Sequence, residues 1–253
     1  MNEVVLVAPR FDEATEYSYL WAQRLKEQLS SMGWRIMEIG GRRVSRREVE
    51  EVLIGSPGAP YIHYDHGSDD AHYGSEEEKV VDLKNVNLLA NRVVYCVNCL
   101  SAKKLGAVAH SVYNAVYVGY VREFAFTPHE ETLFCEAANS GFLAYARGER
   151  DWKRIKQLMV EAFNEMIEQA RDPWTKLLLA WDRDALRVYA PGADEPTTEC
   201  LIRKVMVKAF GSKVGWKLSR LSLLSWSLFW LGCGVAIHDF FYECPDPLRL
   251  PPH

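Results

Sequence analysis

His66 and Cys99 have side chains suited to acyl transfer, and their positions distinguish them from the other histidines and cysteines of the chain. Each follows a short apolar stretch, residues 61–64 before the histidine and residues 92–97 before the cysteine. A thiol attacks a carbonyl carbon well only as a thiolate or with a base ready to take its proton. An imidazole supplies that base and later protonates the leaving amine. The pair therefore indicates a site with a cysteine nucleophile.

Acyl transfer also needs backbone N–H groups directed at the oxyanion that forms in the transition state. Gly67 follows the histidine directly, and a residue without Cβ lets the backbone come close to a substrate. We therefore expect the backbone amides of Gly67 and Cys99 to form the oxyanion hole.

The elements that must position these residues alternate between strand and helix. Apolar runs predict strands over residues 4–8, 34–39, 61–64, 92–97 and 115–120. Helical patterns cover residues 13–31, 46–55, 101–112, 128–147 and 151–170, with Thr127 as the expected cap of the fourth helix. This order predicts an α/β protein with a mainly parallel sheet between two helical layers. Functional groups gather at the carboxyl ends of such strands, where His66 and Cys99 both lie.

The blocks 61–68 and 93–102 resemble the two catalytic blocks of clan CD cysteine peptidases, the clan of caspases, gingipains and CHAT-type proteases. The run 115–120 is similar to the strand that follows the cysteine on the gingipain and CHAT-type side of that clan. The resemblance covers about residues 4–170. It implies a caspase-like fold and a cysteine endopeptidase that cleaves proteins or peptides through a thioester. It also implies His66 as general acid and base and Cys99 as nucleophile, with no cofactor and no third catalytic residue.

Neighbouring histidines and cysteines have other expected roles. Strand alternation places His63 on the side opposite His66, as a core residue or a support for the site. His72 lies in the acidic loop that follows and is a rival base. Cys96 forms a CxxC pair with Cys99, but no second pair has the spacing of a zinc site. We therefore expect Cys96 to be a buried structural thiol and the site to hold no metal.

Acidic residues flank the predicted site. Asp65 and Asp69, together with Asn98, are candidate substrate contacts. An aspartate beside His66 would pair with a basic side chain, so cleavage after arginine or lysine is one interpretation. The other is an acidic loop that only faces solvent, continuing through Asp70 and residues 76–78.

Composition bounds the remaining possibilities. The formal net charge of −4 is too small to indicate a nucleic-acid partner. The six cysteines are irregularly spaced and no secretory signal opens the chain, so we expect a cytoplasmic protein without a disulfide framework.

The composition changes near residue 190, which predicts a peptidase domain over residues 1–190 and a helical C-terminal segment over residues 197–253. Residues 221–237 carry no charge, with basic residues before them and acidic residues after them. Two interpretations stay open: a membrane tail anchor, or an apolar helix packed on the domain or on a partner. Either would use residues 216–242 as the contact.

Two other function classes remain as alternatives. A catalytically silent caspase-like module would use the same fold as an interaction platform. A flavodoxin-like binding module would need a phosphate-binding loop after the first strand, and residues 8–11 offer no such loop.

Overall fold

The computed structural model describes residues 2–196 and contains two sheets and six α-helices in that part of the chain. The strands are β1 (Glu3–Pro9), β2 (Arg35–Gly41), β3 (Tyr61–Tyr64), β4 (Ala71–Tyr73), β5 (Lys79–Asp82), β6 (Val93–Val97), β7 (Val116–Tyr120) and β8 (Leu186–Tyr189). The helices are α1 (Glu13–Ser31), α2 (Arg46–Gly55), α3 (Leu105–Tyr113), α4 (Glu131–Ala146), α5 (Trp152–Gln169) and α6 (Pro173–Ala185).

The main sheet has six strands in the order β2-β1-β3-β6-β7-β8. The first five are parallel to one another, and β8 pairs with β7 in the antiparallel direction at one edge. Strands β4 and β5 form a separate antiparallel hairpin. The predicted α/β class with a mainly parallel sheet is confirmed.

Side chains alternate between two apolar cores, one on each face of the sheet. Residues 4, 6 and 8 of β1 pack with α1, α4, α5 and α6, whereas residues 5 and 7 pack with α2 and α3. Because both faces are covered, nearly every residue of β1, β3 and β6 is buried. Continuous apolar strands of this kind are typical of parallel sheets.

The structure contains three elements that were not predicted, namely helix α6, strand β8 and the β4–β5 hairpin, whose strands have only 3 and 4 residues. The third helix begins at Leu105 and not at residue 101. The fourth helix begins at Glu131 and not at residue 128, after a short 3₁₀ turn over Pro128–Glu130. The expected cap Thr127 instead forms a hydrogen bond with Thr175, where the two hydroxyl oxygens are 2.8 Å apart.

The predicted C-terminal segment, including residues 216–242, lies outside the described residues. Within residues 2–196, no helix is both long enough and apolar enough to cross a bilayer.

Candidate active site

Four neighbouring strands deliver the groups of the candidate site at one edge of the sheet. β1, β3, β6 and β7 lie side by side in that order, and all four are parallel. Asp12, His66, Cys99 and Phe124 follow their carboxyl ends. Residues far apart along the chain therefore meet because parallel strands end together.

The register of the two central strands sets the relation between the histidine and the cysteine. His63 pairs with Cys96 and Tyr64 pairs with Val97. The same offset separates His66 from Cys99, and each lies two residues beyond its strand. By alternation, both leave the sheet toward the face covered by α1 and α4.

The imidazole of His66 is held by a residue that the sequence analysis did not identify. Its Nε2 lies 2.7 Å from Oδ2 of Asp12, and its side chain is 46% exposed. Asp12 also caps α1, accepting the backbone N–H of Thr15 at 2.8 Å. Partial burial opposes ionisation of Asp12, but the hydrogen bonds from Thr15 and His66 outweigh it and lower the pKa of that carboxyl.

The tautomer of the neutral His66 ring follows from these contacts. A carboxylate only accepts hydrogen bonds, so Nε2 of His66 carries the proton. In the neutral ring Nδ1 then has the free lone pair and can act as the base. Asp12 could have been suspected as a helix cap directly after β1, but only the strand order brings β1 beside β3.

Cys99 is partly buried, and its thiol donates to the backbone carbonyl of Phe124 over 3.8 Å. Burial raises the pKa of this thiol, and the carboxyl groups of Glu123 and Asp182 act in the same direction when they are ionised, against the effect of the Phe124 hydrogen bond. The chain turns sharply at the next residue, because Leu100 has φ +58°. In this structure the His66 imidazole is thus hydrogen-bonded to Asp12 and the Cys99 thiol to Phe124, and not to each other.

Gly67 and Cys99 bring their backbones into close contact. A Cβ added to Gly67 would lie 2.4 Å from the carbonyl oxygen of Cys99, so only glycine fits here. Gly67 pairs with His72 in a bridge whose hydrogen bonds come from the residues on either side, Ser68 to Ala71 and Tyr73 to His66. Among the hydrogen bonds of residues 2–196, neither the Gly67 N–H nor the Cys99 N–H donates one.

The backbone of about three quarters of the chain is similar to that of a solved cysteine proteinase. The Arg-specific cysteine proteinase gingipain R superposes with a TM-score of 0.50 over 74% of this chain at 13% identity. The chain has the fold of gingipain R. It covers 48% of that protein, about half of its length. A complex of the pro- and mature domains of gingipain R from Porphyromonas gingivalis covers 74% of this chain and 49% of its own at a TM-score of 0.48 and 11% identity. No family model and no curated protein matches the sequence.

The three predicted substrate contacts have partners within the chain. Asp65 is 5% exposed, accepts the backbone N–H of His66 at 2.6 Å, and has its pKa raised to about 9 by burial. Asp69 forms an ion pair with Lys104. Asn98 is buried, and its amide nitrogen lies 2.9 Å from Nδ1 of His63.

The remaining histidines and the second cysteine of the CxxC pair are buried behind the site. The rings of His63 and His72 stack with centroids 4.7 Å apart, and both side chains are fully buried. Nε2 of His72 lies 2.8 Å from the Tyr117 hydroxyl and 3.4 Å from the sulfur of Cys96. Cys96 is fully buried, and burial raises the pKa of its thiol.

A second residue that the sequence analysis missed is Asp182 of α6, which is fully buried. One carboxyl oxygen accepts the backbone N–H of Ala125 at 3.0 Å, and the other has no partner among the described residues. Burial raises the pKa of Asp182 well above the usual range of a carboxyl, and Arg122 acts in the opposite direction. No local pattern singles out this aspartate, since only the packing of α6 brings it to the backbone of Ala125.

One group of side chains in the described part of the chain could converge on a metal ion. The ligand atoms of His129, Glu130 and Asp172 lie within 4.8 Å of one another. Both carboxylates already accept backbone N–H groups at the start of α6, with Asp172 as its cap. We therefore assign this group to the helix terminus.

Proposed function

We propose that the chain is a cysteine endopeptidase of clan CD in which Cys99 is the nucleophile and His66 the general acid and base. The observation that carries this proposal is the placement of both residues, at equal distance beyond two adjacent parallel strands, in a fold shared with gingipain R. The clan assignment also draws on the residue blocks around His66 and Cys99.

The reaction proceeds through a thioester. Nδ1 of His66 takes the proton of the Cys99 thiol, and the sulfur attacks the scissile carbonyl carbon. The N–H groups of Gly67 and Cys99 stabilise the oxyanion. His66 then protonates the leaving amine as the C–N bond breaks. A water molecule, deprotonated by His66, hydrolyses the thioester and releases the acid and the free thiol.

This mechanism requires the imidazole to approach the thiol on substrate binding, because Cys99 now donates to Phe124. Catalytic hydrogen bonds are often long or misaligned in unliganded enzymes. A substrate backbone between the two strand ends would displace the Phe124 contact and leave the thiol to His66.

We further propose that the enzyme cleaves after arginine or lysine, through Asp182 and Glu123 and not through Asp65 or Asp69. Asp69 is paired with Lys104, whereas one carboxyl oxygen of Asp182 has no partner among the described residues and Glu123 is exposed. A substrate guanidinium or ammonium group close to Asp182 would favour the ionised form of that carboxyl.

Digestion of a positional peptide library tests both proposals, with Cys99→Ala as the control and product mass as the readout. We expect cleavage on the carboxyl side of arginine or lysine by the natural chain and none by Cys99→Ala. Cleavage after other residues would overturn the specificity alone. No cleavage, with no adduct of a peptidyl acyloxymethyl ketone on Cys99, would overturn the peptidase.

The second candidate is a catalytically silent module with a peptidase fold. It is favoured by the raised pKa of the Cys99 thiol and by its hydrogen bond to Phe124. In that case iodoacetamide would alkylate Cys99 slowly. The peptidyl ketone would react with Cys99 at a similarly slow rate, because no substrate-binding site would accelerate its reaction.

A further inference from the structure

We propose that His63 and Asn98 form a clamp that positions the two halves of the oxyanion hole, a role that rests on the proposed peptidase function. Asn98 immediately precedes Cys99, and His63 lies three residues before His66. The two side chains meet behind the site, on the face of the sheet opposite His66 and Cys99.

The hydrogen-bond directions in the clamp follow from its chemistry. Nε2 of His63 lies 2.9 Å from the carbonyl oxygen of Tyr73, which can only accept, so Nε2 carries the ring proton. Nδ1 is then an acceptor and receives the amide N–H of Asn98 at 2.9 Å. Burial lowers the pKa of His63 to about 3, against the effect of the Tyr73 contact, so the ring keeps this neutral form at ordinary pH.

The clamp joins the loop of the nucleophile to the hairpin that follows the general base. Tyr73 belongs to β4, and its N–H donates to the carbonyl of His66 at 3.3 Å. The chain of contacts from Asn98 through His63 and Tyr73 thus ends on His66 itself.

Asn98 also contacts the other half of the proposed oxyanion hole directly. A Cβ on Gly67 would lie 3.0 Å from Cγ of Asn98, so this side chain packs against the glycine. Asn98 therefore contacts Gly67, directly precedes Cys99 and is hydrogen-bonded to His63. A shift of about 1 Å in catalytic geometry can cost about 10²-fold in rate, so this arrangement matters for kcat.

The surroundings of His63 place no charge in hydrogen-bond contact with it. Its ring stacks on those of Tyr61 and His72, with centroids 6.0 Å and 4.7 Å away, and its two nitrogens face Tyr73 and Asn98. A purely structural core contact would have the same packing, so the test must separate packing from positioning.

His63→Leu and His63→Gln form a matched pair for this purpose. Leucine fills space but donates and accepts nothing, whereas glutamine can donate to Tyr73 and accept from Asn98. We expect kcat of His63→Leu to fall about 10- to 100-fold with KM changed less, and His63→Gln to stay within a few fold of the natural chain. Equal kcat values for the leucine and glutamine variants would overturn the proposal.

Asn98→Asp adds a readout that packing alone would not move. Above the pKa of the pair that the new carboxyl forms with His63 in this variant, a carboxylate faces the Nδ1 lone pair and no hydrogen bond can form. One bound proton between the two side chains restores the hydrogen bond. The ratio of its kcat to that of the natural chain should therefore rise as pH falls from 8.5 to 6. A ratio independent of pH would contradict the clamp, and Asn98→Leu should show a loss that does not vary with pH.

If no peptide is cleaved, the proposed function is overturned, but hydrogen exchange still tests the clamp. Peptides covering residues 61–73 and 93–103 should exchange faster in His63→Leu than in His63→Gln. Unchanged exchange in both segments would overturn the clamp independently of any activity.

Discussion

Asp12 and His66 are 54 positions apart in the chain, yet the carboxylate of one lies 2.7 Å from Nε2 of the other. The contact joins the end of β1 to the end of β3, two adjacent parallel strands. It selects the ring tautomer in which Nδ1 is free to act as a base. In the proposed mechanism Asp12 is therefore a positioning residue for His66, in addition to the two catalytic residues that the sequence suggested.

Replacement of Asp12 should reduce turnover more than stability. Asp12→Ser keeps a side chain that caps α1 but is too short to reach His66, whereas Asp12→Ala loses both contacts. We expect kcat to fall about 10- to 100-fold in both variants. Only Asp12→Ala should lose the cap, at a cost of about 1 kcal/mol in unfolding free energy. Full activity of Asp12→Ser would disprove the positioning role.

Gly67 should not tolerate a side chain. Gly67→Ala would place a Cβ 2.4 Å from the Cys99 carbonyl oxygen, so the two loops must move apart. We expect a loss of about 1–3 kcal/mol in unfolding free energy, the usual range for overpacking, and little residual peptidase activity. Gly55→Ala is the control, because nothing lies within 4 Å of a Cβ there. Urea denaturation of both variants checks the prediction, which fails if they are equally stable.

The reactivity of Cys99 should respond to the charge on Glu123. That charge helps to raise the pKa of the thiol, although burial is the larger cause. Glu123→Gln should therefore lower the thiol pKa and speed alkylation by iodoacetamide at pH 7.5, by about twofold to threefold for such an exposed charge. Glu165→Gln on α5 removes the same charge from an exposed position elsewhere and should leave the rate unchanged. A slower alkylation rate in Glu123→Gln would contradict the prediction that the Glu123 charge raises the pKa of the thiol.

Asp65 should make the protein less stable as pH rises from 7 to 9. Its pKa is raised to about 9 in the folded chain, so the folded state keeps a proton that the unfolded chain has already released. Stability then falls with increasing pH throughout this window. Asp65→Asn cannot ionise, so its urea midpoint should fall less than that of the natural chain between pH 7 and 9. Asp69→Asn is the charge-matched control, and equal slopes for all three proteins would contradict the prediction.

The strand-end placement of His66 and Cys99 was predictable because it depends on local signals. Each of these strands is a short apolar run, and the pattern predicted β1, β3, β6 and β7 to within two residues at either end. The same alternation correctly separated His63 and Cys96 from the two site residues, since a strand reverses side at every step. Helix α6 and β8 were not predicted, although Asp172 caps the helix, Pro173 is its first residue, and a mainly apolar run covers residues 186–190.

The sequence by itself thus determined the fold class, the strand-end positions of His66 and Cys99, and the presence of Gly67 directly after the histidine. The tertiary structure alone decided which strands are neighbours and how α6 packs, and so brought Asp12 to His66, Asn98 to His63 and Asp182 to the backbone of Ala125. The physical reason is that strand order and helix packing are set by burial over the whole domain. Local patterns encode whether a segment is a strand, but not which distant carboxylate or amide will stand beside it.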